Sequence, residues 1–219
     1  MTIHTVFFDV GETLVDETRM WGAWADWLQV PRFTFFGVLG GVIARGEHHR
    51  RVFEILRPGM DVDRELAAMR AAGRPIGIAR GDFYPDALPC LGLLRASGYR
   101  IGLAGNQPVE AEAELRALDL PVDFVASSAG WGVQKPSPAF FERVASLAGA
   151  PPEAIAYVGD RVDNDVVPAA AAGMLAVFLR RGPWGYLHAD SVETARGYVR
   201  IDTLAELAAA LKRSELFAR

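Results

Sequence analysis

Ile3-His4-Thr5-Val6-Phe7-Phe8-Asp9-Val10-Gly11-Glu12-Thr13-Leu14 is the stretch on which the fold turns. Residues 3–8 form a β-rich, mainly apolar run, the pattern of a strand buried on both faces in the middle of a parallel sheet. The run breaks off at Asp9 and a glycine-containing turn. A carboxylate therefore stands at the C-terminal end of the first strand.

Outward from this strand the chain reads as two kinds of segment. From Asp86 onward helix and strand alternate: helix over 86–97, strand over 100–104, helix over 109–118, strand over 124–126 and helix over 138–148. The series goes on with strand over 155–158, helix over 164–172, strands over 175–179 and 198–201, and a last helix to about Lys212. Such alternation specifies an α/β fold, a Rossmann-like parallel sheet with helices on both faces. Between the first strand and this series, residues 16–84 hold no good strand and several amphipathic helical patterns, such as Trp21-Trp24-Leu28 and Val52-Ile55-Leu56. Pro31, Arg57-Pro58-Gly59 and Gly73-Arg74-Pro75 cut that segment into about four helices. The expected organisation is a sheet domain of residues 1–15 and 85–219 interrupted by a helical domain of residues 16–84.

Composition narrows the class. A chain of 219 residues holds one well-buried core and a smaller second module. With 51% hydrophobic and 23% charged residues it is globular, not disordered. A formal net charge of −4 without a continuous basic face excludes nucleic acid as an expected partner. The single cysteine, Cys90, allows no intrachain disulfide and no cysteine zinc site, which suits a reducing cytosol. No secretory signal is visible at the N-terminus, and the longest mainly apolar run, residues 33–44, is shorter than the roughly 18–20 residues of a membrane span. A cytoplasmic protein without membrane contact is expected.

In an open parallel sheet, ligands bind outside the carboxyl ends of the strands. Asp9 to Leu14 follows one such end, Gly105-Asn106-Gln107 another, and Gly159-Asp160 with Asp163 and Asp165 a third; Lys135-Pro136 opens a helix between them. Taken singly these residues have ordinary readings: an Asp after a strand is often a turn former or helix cap, and Asp163 is expected to cap a helix. The Trp21 stripe fits a helical core, and His48-His49 lacks metal-ligand spacing.

The order of elements resembles the haloacid dehalogenase-like superfamily over essentially the whole chain. Its most specific pieces are Tyr157-Val158-Gly159-Asp160-Arg161-Val162-Asp163-Asn164-Asp165 and Gly132-Val133-Gln134-Lys135-Pro136-Ser137-Pro138. The resemblance implies a Mg²⁺-dependent phosphatase acting on a small phosphorylated molecule, as a monomer or homodimer, with residues 16–84 as a helical cap over the site. Carried over by position, Asp9 is the nucleophile that forms an aspartyl-phosphate. Asp160, Asp165, Asp9 and the carbonyl of Gly11 are the implied metal ligands, Lys135 offsets charge, and Gly105 and Asn106 face the phosphate. Candidate substrate contacts in the cap are Trp21, Trp24, Trp27, Phe33, Phe35, Phe36, His48, His49 and Arg50.

Two positions depart from that pattern. The family's usual acid/base Asp, two residues after the nucleophile, is Gly11 here, and Gly105 replaces the usual Ser or Thr hydroxyl. Loss of a general acid typically costs roughly 10²–10⁴-fold in rate. Substrates with good leaving groups, such as acyl or aryl phosphates, suffer least, and Glu12 is a replacement only if its loop is re-registered. The same two departures fit a catalytically weakened or retired member that binds a phosphorylated ligand or a protein partner. A metal-free haloacid dehalogenase is a third reading, against which the acidic set at Asp160 and Asp165 argues.

Overall fold

The structure is a computed structural model that describes residues 2–74, 76–189 and 198–217. It divides into two compact units, one formed by the chain up to Asp16 and from Ile78 onward, the other by Glu17–Gly77. Residues 78–84, expected in the helical segment, belong to the sheet unit because its backbone holds them there. Val15 bridges Phe83 antiparallel, Tyr84 N–H donates to the Leu14 carbonyl (2.9 Å), and Asp16 N–H donates to that of Asp82 (2.8 Å).

The sheet unit has the expected Rossmann-like α/β architecture. Its six strands are β1 (Thr5–Phe8), β2 (Arg100–Gly105), β3 (Phe124–Ser127), β4 (Ile155–Gly159), β5 (Leu175–Leu179) and β6 (Val199–Ile201). They are parallel throughout and run in the order β3-β2-β1-β4-β5-β6. The order reverses at β1, the topological switch point where such sheets open a crevice. Phe8 lies opposite both Leu103 and Val158, so Asp9, Gly105 and Asp160 leave neighbouring strands at one end of the sheet.

The helical unit contains α1 (Thr18–Trp27), α2 (Arg32–Ala44), α3 (Arg51–Leu56) and α4 (Val62–Ala71). Pro31 precedes α2, Gly59 turns with φ +77° between α3 and α4, and Asp61 caps α4 by accepting from the N–H groups of Asp63 and Arg64. Its interior is aromatic. Phe53 packs 4.6 Å from Trp24, 6.2 Å from Trp21 and 6.1 Å from Phe35, measured between ring centroids. The Trp21-Trp24-Leu28 stripe is buried there.

The remaining helices belong to the sheet unit: α5 (Ala87–Ala96), α6 (Val109–Ala117), α7 (Ser128–Trp131), α8 (Pro138–Ala148), α9 (Val167–Ala171), α10 (Gly182–His188) and α11 (Leu207–Phe217). Alternation along β1 sends Val6 and Phe8 to one face, where they pack with Leu91 and Leu94 of α5 and Leu207 and Leu211 of α11. Phe7 points to the other face and joins Phe140, Phe141 and Val144 of α8 with Ala169 of α9. The ring of Phe7 lies where a Cβ on Gly102 would be, 2.2 Å from its nearest ring carbon, so β2 needs glycine at that position.

The helix expected over 164–172 is shorter. Residues 162–166 form a wider π-type turn in which Val166 N–H reaches back to the Arg161 carbonyl (3.2 Å). Pro168 has no N–H to offer the Asn164 carbonyl, so the regular ladder starts only at α9. No single helix among the described residues is long and apolar enough to cross a membrane.

Candidate active site

Burial of charge marks the site. Asp9, Lys135, Asp160 and Asp165 are 8%, 2%, 1% and 0% exposed, although charged groups are almost never buried unless paired. Lys135 Nζ lies 2.7 Å from Asp9 Oδ1 and 2.5 Å from Asp165 Oδ1. Oxygens of Asp9, Asp160 and Asp165 lie within 4.8 Å of one another. Each carboxylate arrives from a different local structure: Asp9 from the end of β1, Asp160 from the end of β4, Asp165 from the π-type turn. That turn aims Asp165 back at the sheet, where its Oδ2 accepts from Arg161 N–H at 3.0 Å.

The electrostatics follow from crowding in a dry place. Burial pushes the Asp160 carboxyl far above the usual carboxylate range, and the charges of Asp165, Asp9 and Glu12 push it further. Asp165 is raised to about 6, chiefly by burial, although Lys135 pulls the other way. Burial alone would lower Lys135, but the charges of Asp165 and Asp9 outweigh it and hold its ammonium form well above the ordinary lysine range. One ammonium among three carboxylates leaves the cluster negative. Asp160 Oδ1 accepts a long bond from Thr13 Oγ1 (3.4 Å), whereas the buried Oδ2 has no hydrogen-bond partner. An orphaned buried oxygen beside two further carboxylates fits a hard divalent cation.

Asp9, Lys135, Asp160 and Asp165 thus come together, as expected from their order along the chain. At Gly105 the difference from a Ser or Thr is spatial as well as chemical, because a Cβ there would sit 2.5 Å from Asp9 Oδ1. Asn106 is spent differently from expectation: both ends of its side-chain amide bond the backbone of Lys135. Asp163, expected to cap a helix, pairs with the Arg161 guanidinium at 2.7 Å. In the helical unit Trp21, Trp24 and Phe35 are core residues, while Phe33 is 91% exposed.

The loop after β1 is braced by contacts between residues far apart in the chain. Glu12 adopts the left-handed conformation (φ +53°), which costs a non-glycine residue about 1–2 kcal/mol. Its Oε2 accepts from the Tyr84 hydroxyl at 2.7 Å, and the backbone of Gly182 (φ +62°) comes so close that a Cβ there would lie 2.4 Å from the same oxygen. Arg181 donates to the Thr13 carbonyl (3.0 Å), lies 4.2 Å over the Tyr84 ring and ion-pairs with Asp86. These partners lie as far as 168 residues apart in the chain, so no local pattern joins them.

A haloacid dehalogenase-like hydrolase family model matches residues 3–173. The chain is 37% identical over 145 residues to the glyceraldehyde 3-phosphate phosphatase of Methanopyrus kandleri, a match covering 64% of this chain and 62% of that one. It is 33% identical over 131 residues to the phosphoglycolate phosphatase of Escherichia coli K12, covering 58% and 50%. It therefore spans about half to three-fifths of the length of these curated relatives. Among solved structures, a HAD-superfamily hydrolase of Geobacter sulfurreducens superposes with a TM-score of 0.65 at 19% identity, covering 95% of this chain and 96% of the other. The YfnB HAD-hydrolase of Bacillus subtilis, solved bound to magnesium, gives 0.66 at 18% identity, covering 96% and 99%. Fold, strand-end carboxylates and family match agree: the chain belongs to the haloacid dehalogenase-like hydrolases.

Proposed function

We propose that the protein is a Mg²⁺-dependent phosphohydrolase of small phosphorylated metabolites that works through an aspartyl-phosphate on Asp9. The observation that carries this reading is the buried cluster of three carboxylates and one ammonium, with Asp160 Oδ2 unpartnered. The phosphatase names of the curated relatives support small phosphorylated molecules as the substrate class.

On this reading an Asp9 oxygen attacks phosphorus, the bond from phosphorus to the leaving oxygen breaks, and water then releases phosphate from the acyl-phosphate. Lys135, already 2.7 Å from Asp9, offsets the charge of the nucleophile and of the incoming phosphoryl oxygens. Asp9, Asp160 and Asp165, with the Gly11 carbonyl, would hold the Mg²⁺. An ion bound there would supply Lewis-acid charge neutralisation to the phosphoryl group. Gly11 has no side chain to protonate the leaving oxygen, which favours acyl and aryl phosphates over alkyl esters. Residues 17–77, inserted directly after the first strand and its loop, take the chain position of a cap on this reading.

The test is a panel of phosphorylated metabolites with acetyl phosphate and p-nitrophenyl phosphate, assayed with Mg²⁺ and with chelator. Wild type turns over at least one compound in a Mg²⁺-dependent way, and Asp9→Asn falls by at least about 10³-fold. Equal background turnover by the two proteins overturns the assignment.

A further inference from the structure

The reciprocal bonds between Asn106 and Lys135 carry more than the phosphate contact expected of Asn106. Its Oδ1 accepts from Lys135 N–H at 2.8 Å and its Nδ2 donates to the Lys135 carbonyl at 3.0 Å. Only one orientation of the amide satisfies both, and together the bonds treat the lysine backbone as a neighbouring strand would. A second tie joins β4 to β2 two residues before Asn106. The Tyr157 hydroxyl donates to the Ala104 carbonyl at 2.7 Å, and the Tyr157 ring lies 5.5 Å from Lys135 Nζ, with the Phe140 ring at 5.9 Å. The lysine is thus held at its backbone by Asn106, along its head by two rings, and at its ammonium by Asp9 and Asp165.

We propose that Asn106 is a positioning residue that sets Lys135 against Asp9, using its amide on the lysine backbone and not on the substrate. The proposal rests on the reading of Lys135 as the charge-balancing group of a phosphohydrolase. A free lysine side chain has many rotamers, and fixing its backbone selects those whose ammonium reaches the carboxylates. Asn106 is itself exposed, so the amide is not forced into these bonds by burial. Removing it leaves every charge of the site in place while freeing the lysine's main chain.

The composition of the chain makes a site-selective test available. Lys135 and Lys212 are its two lysines, the first buried and the second exposed, and its one cysteine, Cys90, is buried with a thiol pushed up to about 12 by burial and the Asp86 charge. Reductive methylation with labelled formaldehyde, followed by peptide mass spectrometry, reads both lysines; a disulfide reagent reads Cys90. In wild type Lys212 is modified and Lys135 is protected. Asn106→Ala is expected to speed modification of Lys135 about tenfold, the scale of losing one or two hydrogen bonds. Lys212 and Cys90 keep their wild-type rates. Asn106→Asp, which keeps the acceptor for Lys135 N–H and loses the donor, falls between the two.

Kinetics supply the second readout. On the best substrate Asn106→Ala is expected to lower kcat about tenfold or more, with KM changed less than about threefold. Lys135 still fully protected in Asn106→Ala overturns the proposal, as does a rise in KM at unchanged kcat, which would return Asn106 to a direct phosphate contact. Equal exposure of Cys90 also overturns it, because the effect would then be general loosening. Methylation needs no substrate, so a wild type that turns nothing over defeats the phosphohydrolase reading while the labelling result still decides whether Asn106 holds Lys135.

Discussion

The two units of the molecule keep their charges in opposite places. In the sheet unit Asp9, Glu12, Lys135, Asp160 and Asp165 are all buried, together with Thr5, Thr13, Ser127 and Asn164. In the helical unit no charged or polar residue is buried among those described, and the interior is Trp21, Trp24, Phe35, Phe53 and aliphatic neighbours. Its ion pairs, among them Arg32 with Asp26, Arg45 with Glu47 and Arg51 with Glu54, lie at the surface. Burying a charge costs several kcal/mol unless partners repay it, so a fold that buries five beside one strand end is spending stability on chemistry. The helical unit shows what the same chain does where it has no such site.

The largest effect is expected where this contrast is strongest. Lys135→Met leaves Asp9 and Asp165 buried without their cation. Removing one partner of a buried ion pair typically costs about 3–5 kcal/mol. Urea unfolding should show a loss of that order in chelator, with part of it recovered in Mg²⁺, and the proposed phosphatase activity should be abolished. A variant as stable as wild type under both conditions would mean that the cluster is far wetter than its burial indicates.

The sheet unit was also the more legible half. Apolar runs and their spacing placed β1, β2, β4 and β5 to within a residue or two, because a strand covered on both faces has few polar positions to confuse the pattern. Asp9, Asp160 and Asp165 were legible for a related reason: the ends of neighbouring parallel strands are close by construction, so carboxylates that follow them meet although they are far apart in sequence. Lys135, which precedes α8, was assigned through the resemblance of residues 132–138 to the family's motif. What escaped was side-chain traffic across the sheet's end. Nothing near Asn106 says that its amide will meet the backbone of Lys135, and nothing near Glu12 announces the Tyr84 hydroxyl. The boundary at 77/78 was missed because two backbone bonds and a bridge, not composition, tie residues 82–84 to the loop after β1. The wide turn at 162–166 was hidden by a helix-like sequence, although Pro168 held the clue.

A substitution in the helical unit sharpens the contrast from the other side. Phe53 is 3% exposed and stands at the centre of the aromatic cluster. Phe53→Ala removes its ring contacts and leaves a cavity, for an expected loss of about 3–5 kcal/mol. This is as large as the loss at Lys135, but its origin is packing. It should therefore be the same in Mg²⁺ and in chelator, with Trp21 and Trp24 fluorescence following the transition. Recovery by Mg²⁺ would show that the two units share an energetic element which their separate interiors do not reveal.

The smallest effect is expected at the helical unit's best-formed ion pair. Arg32 donates twice to Asp26, at 3.0 and 2.6 Å, which is the geometry that strengthens a buried pair. Here the two side chains are 60% and 49% exposed. Water solvates both charges whether or not they touch, and holding two long side chains together costs entropy that the screened attraction barely offsets. The Arg32 hydrogen bond lowers the Asp26 carboxyl below its ordinary range, so any stabilisation from the pair is present above the unfolded carboxylate range and fades as pH falls through the folded value. Asp26→Asn should thus leave the thermal midpoint at neutral pH unchanged, and the acid limb of the stability curve should overlay that of wild type. A shift of several degrees would require surface charge to contribute to the helical unit what only buried charge contributes beside Asp9, and the contrast between the two units would then be one of degree.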